Sequence, residues 1–333
     1  MRHLVPWALL LSVALACGED TPTATTDPGS VDLGVDAGDL SGLSDASAPD
    51  EGVAEDGGEP DRGVPEGDVV LGGDRPVTLR VPEDYAGESL PLVLSLHGYT
   101  SNGAQLDAYF GLPRRVDARR FFLLSPTGTE ETPGGNPFWN ATAACCNFRS
   151  SSVDDVAYLT GLIDEAAAVV SVDPARIYVV GHSNGGFMSY RMACDAADRV
   201  AAIVSLAGAT HEDEADCPAS EPVSVLQIHG TDDTVIRYGG GTLGRGAYPG
   251  AEESVLRWAQ RAGCTGEPRV ADERLDLVRT LPGDDTDAQS YEEGCAEGIG
   301  ASLWTIESGG HVPLFQADYA DRLLDFLFAH PKP

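Results

Sequence analysis

Positive charge is scarce in this chain of 333 residues. Only 21 lysines and arginines stand against 53 aspartates and glutamates, giving a net charge of −32 at pH 7. A body this acidic repels phosphate backbones and anionic headgroups, so nucleic acid is excluded as a partner and neutral substrates are favoured. Long hydrophobic runs are also missing. The longest, residues 4–16, is shorter than the roughly 20 residues a membrane-spanning helix needs. No two cysteines have the CxxC spacing of a zinc ribbon, and there are no internal repeats. These absences leave a chain with 42% hydrophobic residues, enough for a sizeable core.

The amino end has to be set aside before the fold is read. Met1-Arg2-His3, an apolar run and a small-residue end form the pattern of an export signal. Ala14-Leu15-Ala16 fits an A-x-A cleavage site. Followed by Cys17, the same residues resemble a bacterial lipoprotein signal in which Cys17 carries the lipid. The lipoprotein pattern prefers Leu where this chain has Ala14, so residues 1–17 are expected to be an export signal ending either at that cleavage site or in an imperfect lipobox. The protein is expected to be extracellular, periplasmic or anchored to the outer membrane, with the membrane engaged only through Cys17. Residues 18–69 are expected to form a disordered acidic linker. Between residues 18 and 68 there are fifteen acids and one base, Arg62, and too few apolar side chains to offset the entropy of ordering.

Cys145, Cys146, Cys194, Cys217, Cys264 and Cys295 remain besides Cys17. An even number in an exported chain suggests disulfides. Adjacent Cys145 and Cys146 are poorly placed to pair with each other by ordinary disulfide geometry. The expected set is Cys264–Cys295, with Cys145 and Cys146 going to Cys194 and Cys217 in either order.

From about residue 75, strand-like and helix-like segments alternate. Strands are expected at 77–81, 90–96, 121–124, 176–180, 200–206, 223–228 and 303–306. Helices are expected at 153–170, 186–194, 251–262 and 314–328. Ser152 or Asp154 is placed to cap the first of these helices. Short buried strands alternating with helices predict a mostly parallel sheet covered on both faces, a single domain over residues 70–333.

Gly181-His182-Ser183-Asn184-Gly185 lies where a strand gives way to a helix. G-x-S-x-G in that setting is a nucleophile elbow, the mark of the α/β-hydrolase fold. The serine must stand on a sharp turn, and side chains at Gly181 and Gly185 would collide with neighbouring backbone. In this fold the order is serine, acid, histidine. His311 follows the strand at 303–306 and is the candidate base, since His330 lies in the terminal tail. The acid is Asp232 or Asp233, after the strand at 223–228. Asp284, Asp285 and Asp287 read as surface residues. The oxyanion donors are expected to be the backbone amides of Asn184 and Tyr99. His97 reads as a buried residue bonded to backbone. Asp154 and Asp155 read as helix-start residues. Trp139, Asn140 and His182 are the candidates for the substrate pocket, with packing of a disulfide-stapled loop as the other reading of Trp139.

With these residues in place, the chain resembles the esterase family that includes polyhydroxybutyrate depolymerases and feruloyl or acetylxylan esterases. The resemblance runs over residues 76–328. It rests on Leu96-His97-Gly98, Phe138-Trp139-Asn140-Ala141, Cys145-Cys146, Val153-Asp154-Asp155-Val156, Arg176-Ile177-Tyr178-Val179, residues 181–186 and Ile228-His229-Gly230-Thr231. It implies a serine esterase with nucleophile Ser183 and base His311. The His-Gly-Thr-x-Asp pattern places the acid on Asp233. It implies an ester substrate, polyester or polysaccharide-linked, and no metal or cofactor. Tyr99 stands where many relatives have Cys, and Val312-Pro313-Leu314-Phe315 where many have Thr-Trp-Pro-Gly, so the changes fall around the expected site. The absence of an appended binding domain weighs against an insoluble polymer. The rival readings are a peptidase on the same fold and a non-catalytic surface lipoprotein.

Overall fold

Seven consecutive buried residues, Leu90–Leu96, cannot lie on a sheet with one wet face. In the computed structural model, which describes residues 64–65 and 69–333, this strand is second from one edge of an eight-stranded sheet, with a strand paired on each side. The expected export signal, Cys17 and nearly all of the expected linker lie outside the described residues.

The described chain begins with a hairpin, β1 (Val69–Leu71) and β2 (Val77–Leu79). There follow β3 (Leu90–Leu96), α1 (Gly103–Phe110), a single-turn helix α2 (Val116–Arg119) and β4 (Phe122–Leu124). A small hairpin of β5 (Thr129–Glu130) and β6 (Pro137–Phe138) leads to α3 (Asp155–Val169), β7 (Val172–His182), α4 (Asn184–Asp195) and β8 (Ala202–Leu206). Next come β9 (Ser224–Gly230), the hairpin β10 (Gly241–Leu243) and β11 (Gly246–Tyr248), and α5 (Ala251–Arg261). The chain ends with β12 (Arg269–Val270), β13 (Thr286–Tyr291), β14 (Ala301–Ile306) and α6 (Tyr319–Phe328).

The sheet order is β12-β13-β14-β9-β8-β7-β3-β4. From β14 to β4 all neighbours are parallel, and β13 and β12 add an antiparallel edge. Alternate strand residues face opposite sides. Leu92, Leu94, Val179, Ile203 and Val225 meet α3 and α4. Val93, Val180, Val204 and Leu226 meet α1 and α6 on the other side. The sheet is thus buried on both faces, as the unbroken apolar runs predict. Asp154, not Ser152, caps α3 by accepting the Ala157 N–H at 2.9 Å.

Three expectations need correction. The last helix begins at Tyr319 rather than at 314, because residues 312–315 are drawn out beside residues 277–279: Arg279 N–H donates to Leu314 O at 2.8 Å, and Phe315 bridges Val278. Asp285 is not a surface residue but 5% exposed, accepting the N–H groups of Leu277 and Val278. In the disulfides, Cys264–Cys295 is present as expected, but Cys145 and Cys146 do not go to Cys194 and Cys217. Cys194, at the end of α4, lies 4.8 Å from Cys217 at Cα and pairs with it. Cys145 and Cys146, 3.0 Å apart at Cα across a cis peptide, are joined to each other.

Candidate active site

Ser183 is the single residue between β7 and α4, and its backbone has φ 54° and ψ −117°. A non-glycine residue there is strained, and such strain persists only where the surroundings fix it. Ser183 N–H donates to Leu206 O at 2.8 Å, and Ser183 O accepts the Phe187 N–H at 3.0 Å. The turn is so tight that a side chain on Gly181 would land on the carbonyl of Gly185. One on Gly185 would land on the carbonyl of Leu96. Neither glycine can be replaced without moving backbone, which accounts for both flanking positions of the motif.

Two loops at the carboxyl ends of β9 and β14 bring partners to this serine. His311 Nε2 lies 2.9 Å from Ser183 Oγ, and His311 Nδ1 lies 2.7 Å from Asp233 Oδ2. A carboxylate only accepts, so Nδ1 carries the hydrogen and the Nε2 lone pair is free to accept the hydroxyl proton of Ser183. Asp233 is 4% exposed. Its Oδ1 accepts the N–H groups of Val235 at 2.8 Å and Ile236 at 2.9 Å. Burial alone would raise this carboxyl, but hydrogen bonds from His229 and His311, the His311 charge and the Val235 N–H outweigh it and hold the group well below the usual carboxylate range. Asp232 is exposed, and among the described residues its side chain has no hydrogen-bond partner, while its backbone N–H donates to Gly309 O at 2.9 Å. The structure thus joins Asp233, and not Asp232, to Ser183 and His311.

The segment after β3 runs directly over the serine. A Cβ placed on Gly98 would lie 3.4 Å from the Cβ of Ser183. Among the described residues, neither the Tyr99 N–H nor the Asn184 N–H donates to a protein acceptor. Both amides are therefore available to a negative oxygen formed beside Ser183, and Asn184 adds the amino end of α4. His97 fixes this segment. It is fully buried, pairs through Nδ1 with Gly98 O at 2.7 Å, and accepts the Gly128 N–H on Nε2 at 2.9 Å.

The three pocket candidates each make hydrogen bonds within the protein. Trp139 is fully buried. Its indole N–H donates to His97 O at 3.1 Å, and its backbone N–H to Asn184 Oδ1 at 2.7 Å. Asn140 spends its side chain on Val153 O and Asn147, and its backbone N–H on Asp155 Oδ2. Asp155 is buried against Arg75, whose Nη1 lies at 2.7 Å. His182 faces the His311 backbone, with Nε2 2.9 Å from His311 O. Two contributors were missed in the sequence. The Tyr109 hydroxyl donates to Pro313 O at 2.9 Å, and His229 stands 3.4 Å from Asp233 Oδ2. Only the His-Gly-Thr pattern around His229 offered a signal, while Tyr109 offered none, since its partner is 204 residues away.

Comparison with known proteins bears on the family and the fold. The model of the alpha/beta hydrolase family matches residues 93–325. Feruloyl esterase B of Piromyces equi is 29% identical over 246 residues, covering 71% of this chain and 42% of that protein. A probable feruloyl esterase C of Aspergillus niger is 28% identical over 175 residues, covering 50% of this chain and 58% of that protein. The chain thus spans about half the length of these curated relatives. Among solved structures, an acetyl xylan esterase from Aspergillus awamori superposes with a TM-score of 0.58 at 14% identity, over 79% of this chain and 98% of that one. That likeness is one of fold.

Proposed function

The chain belongs to the alpha/beta hydrolase family, and from that premise we propose that it is a serine esterase hydrolysing carboxylic esters through Ser183, His311 and Asp233. The observation that carries the reading is the unbroken hydrogen-bonded line from Ser183 Oγ through the His311 ring to Asp233 Oδ2, at 2.9 and 2.7 Å, starting from a serine held at positive φ.

Ser183 Oγ attacks the ester carbonyl carbon while its proton passes to His311 Nε2. Asp233 holds the ring with Nδ1–H toward it and stabilises the imidazolium. The tetrahedral oxygen is received by the amides of Asn184 and Tyr99, donors of a kind worth about 10²–10³ in rate each. His311 returns the proton to the leaving alcohol. Water then repeats the sequence on the acyl-enzyme and releases the acid.

The feruloyl esterase names of the relatives favour a feruloyl ester, and an acetyl group on a polysaccharide belongs to the same reading, since another relative is named an acetylxylan esterase/xylanase. A hydroxyalkanoate oligomer is the competing substrate. The six cysteines paired as three disulfides support work outside the cytoplasm. With that goes the reading of residues 1–17 as an export signal with lipidation at Cys17, 18–69 as a linker and 70–333 as the catalytic domain.

The test is acid release by the full chain from methyl ferulate and from a 3-hydroxybutyrate oligomer, side by side, with Ser183→Ala as the blank. Loss of about 10⁴–10⁶ in kcat in the variant is expected. A variant keeping a tenth of the activity removes Ser183 as nucleophile. Preference for the oligomer would reject the feruloyl reading.

A further inference from the structure

The segment that carries His311 alternates between exposed and buried side chains: Val312 and Leu314 are 58% and 50% exposed, while Pro313 between them and Phe315 after them are buried. Residues 308 and 309 are tied to the acid loop, by Ser308 N–H to Thr231 Oγ1 at 2.8 Å and by Asp232 N–H to Gly309 O. Beyond them, two side chains hold the backbone at residues 311 and 313, ahead of the Arg279 N–H bond to Leu314 O. His182 Nε2 lies 2.9 Å from His311 O, and because a carbonyl only accepts, Nε2 carries the hydrogen. The Tyr109 hydroxyl, from α1, donates to Pro313 O at 2.9 Å. The two rings brace each other edge to face, 5.5 Å apart, and the His182 ring also lies 5.0 Å from that of His311.

We propose that His182 is a positioning residue for the base: with Tyr109 it clamps the backbone of residues 311–313, so that the His311 ring stays within hydrogen-bond reach of Ser183. The inference rests on the Ser183–His311 reading above. Its economy is geometric. His182 immediately precedes the nucleophile, so the side chain of one residue links the elbow to the loop that brings the base. Any drift of either then carries the other with it. Burial pushes the His182 imidazole down to about 4, so at neutral pH it is an uncharged donor and places no positive charge against the imidazolium that forms on His311. The same hydrogen bond turns His182 away from the pocket role its place in the motif suggested.

The test compares His182→Phe, which keeps a ring but no donor, with His182→Gln, whose amide can reach the Nε2 position, and with Tyr109→Phe. Steady-state hydrolysis of p-nitrophenyl acetate by the full chain gives kcat and KM, and thermal melting reports the fold. A displacement of about 1 Å can cost about 10²-fold in rate, so His182→Phe is expected to lower kcat by about ten- to a hundredfold with KM changed less than about twofold. His182→Gln is expected to recover most of that loss, and Tyr109→Phe to show a smaller loss of the same kind. Wild-type kcat in His182→Phe, or a Gln variant as impaired as Phe, overturns the proposal. A raised KM at unchanged kcat overturns it too, and returns His182 to the substrate pocket. If His182→Phe does not fold, wild-type kcat in Tyr109→Phe overturns the clamp. Failure of the underlying reading is separate, since it appears as activity surviving in Ser183→Ala.

Discussion

Acid should destabilise this fold through His97. The residue is fully buried and both ring nitrogens are committed in the neutral form, Nδ1–H to Gly98 O and Nε2 to the Gly128 N–H. A proton added at Nε2 would confront that N–H. Burial, with Arg75 nearby, pushes the imidazole down to about 4, although the Gly98 hydrogen bond pulls the other way. In the unfolded chain a histidine titrates near 6.5. Above that value both states are neutral and His97 imposes no pH dependence. As pH falls through the window from about 6.5 to about 4, the unfolded chain takes up a proton that the native state refuses, and stability is lost. At about 1.4 kcal/mol per pH unit, the loss between pH 7 and 4.5 comes to roughly 2–3 kcal/mol.

His97→Gln isolates this contribution. Glutamine can still accept the Gly128 N–H but does not titrate, while the bond to Gly98 O is lost. At pH 7 the variant should therefore be less stable by about 1–2 kcal/mol. As pH falls the gap should close, with the two stabilities meeting between about pH 5.8 and 5 and the variant the more stable below that. Carboxylates and the other histidines titrate alike in both proteins and cancel in the difference. Urea unfolding followed by tryptophan fluorescence at half-unit pH steps gives both curves. A gap that stays constant within about 0.5 kcal/mol from pH 7 to 4.5 would show that His97 binds its proton equally in both states, and would refute the argument.

Asp233→Asn removes the acceptor that keeps the hydrogen on His311 Nδ1, and kcat should fall by about 10⁴ with little change in KM; a fall of less than about tenfold in the same assay would place the acid elsewhere. Trp139→Ala leaves a large hole beneath the segment over the serine and should cost about 3–5 kcal/mol in urea unfolding. A change in KM without that loss would restore Trp139 to the pocket wall. Replacing Cys194 and Cys217 together by serine opens a link spanning 23 residues and should cost about 3 kcal/mol in the same assay, whereas unchanged stability would mean the bridge constrains nothing that folding needs.

The three residues of the candidate site that the structure joins were legible in the sequence because each is announced by its own surroundings. Ser183 sits between glycines that backbone contacts require. His311 and Asp233 follow strands whose apolar runs are plain in the chain. The groups that hold them in place were not legible, because they act between distant residues. Tyr109 reaches Pro313 across 204 positions, His182 reaches His311 across 129, and Trp139 reaches Asn184 across 45. Asp285 shows the same limit in reverse. Beside Gly283 and Asp284 it looks like surface, yet two backbone amides eight and seven positions away draw it inside. The choice between Asp232 and Asp233 sits on the boundary. Asp233 is selected partly by contacts only two and three residues away, the amides of Val235 and Ile236, which turn Oδ2 toward His311. Such a turn could equally have formed on Asp232. What decides it is that Asp232 N–H is taken by Gly309, in the same loop that brings the base. In the fold the acid is specified together with the histidine segment, and without the family pattern a reading confined to residues 228–236 leaves the pair undivided.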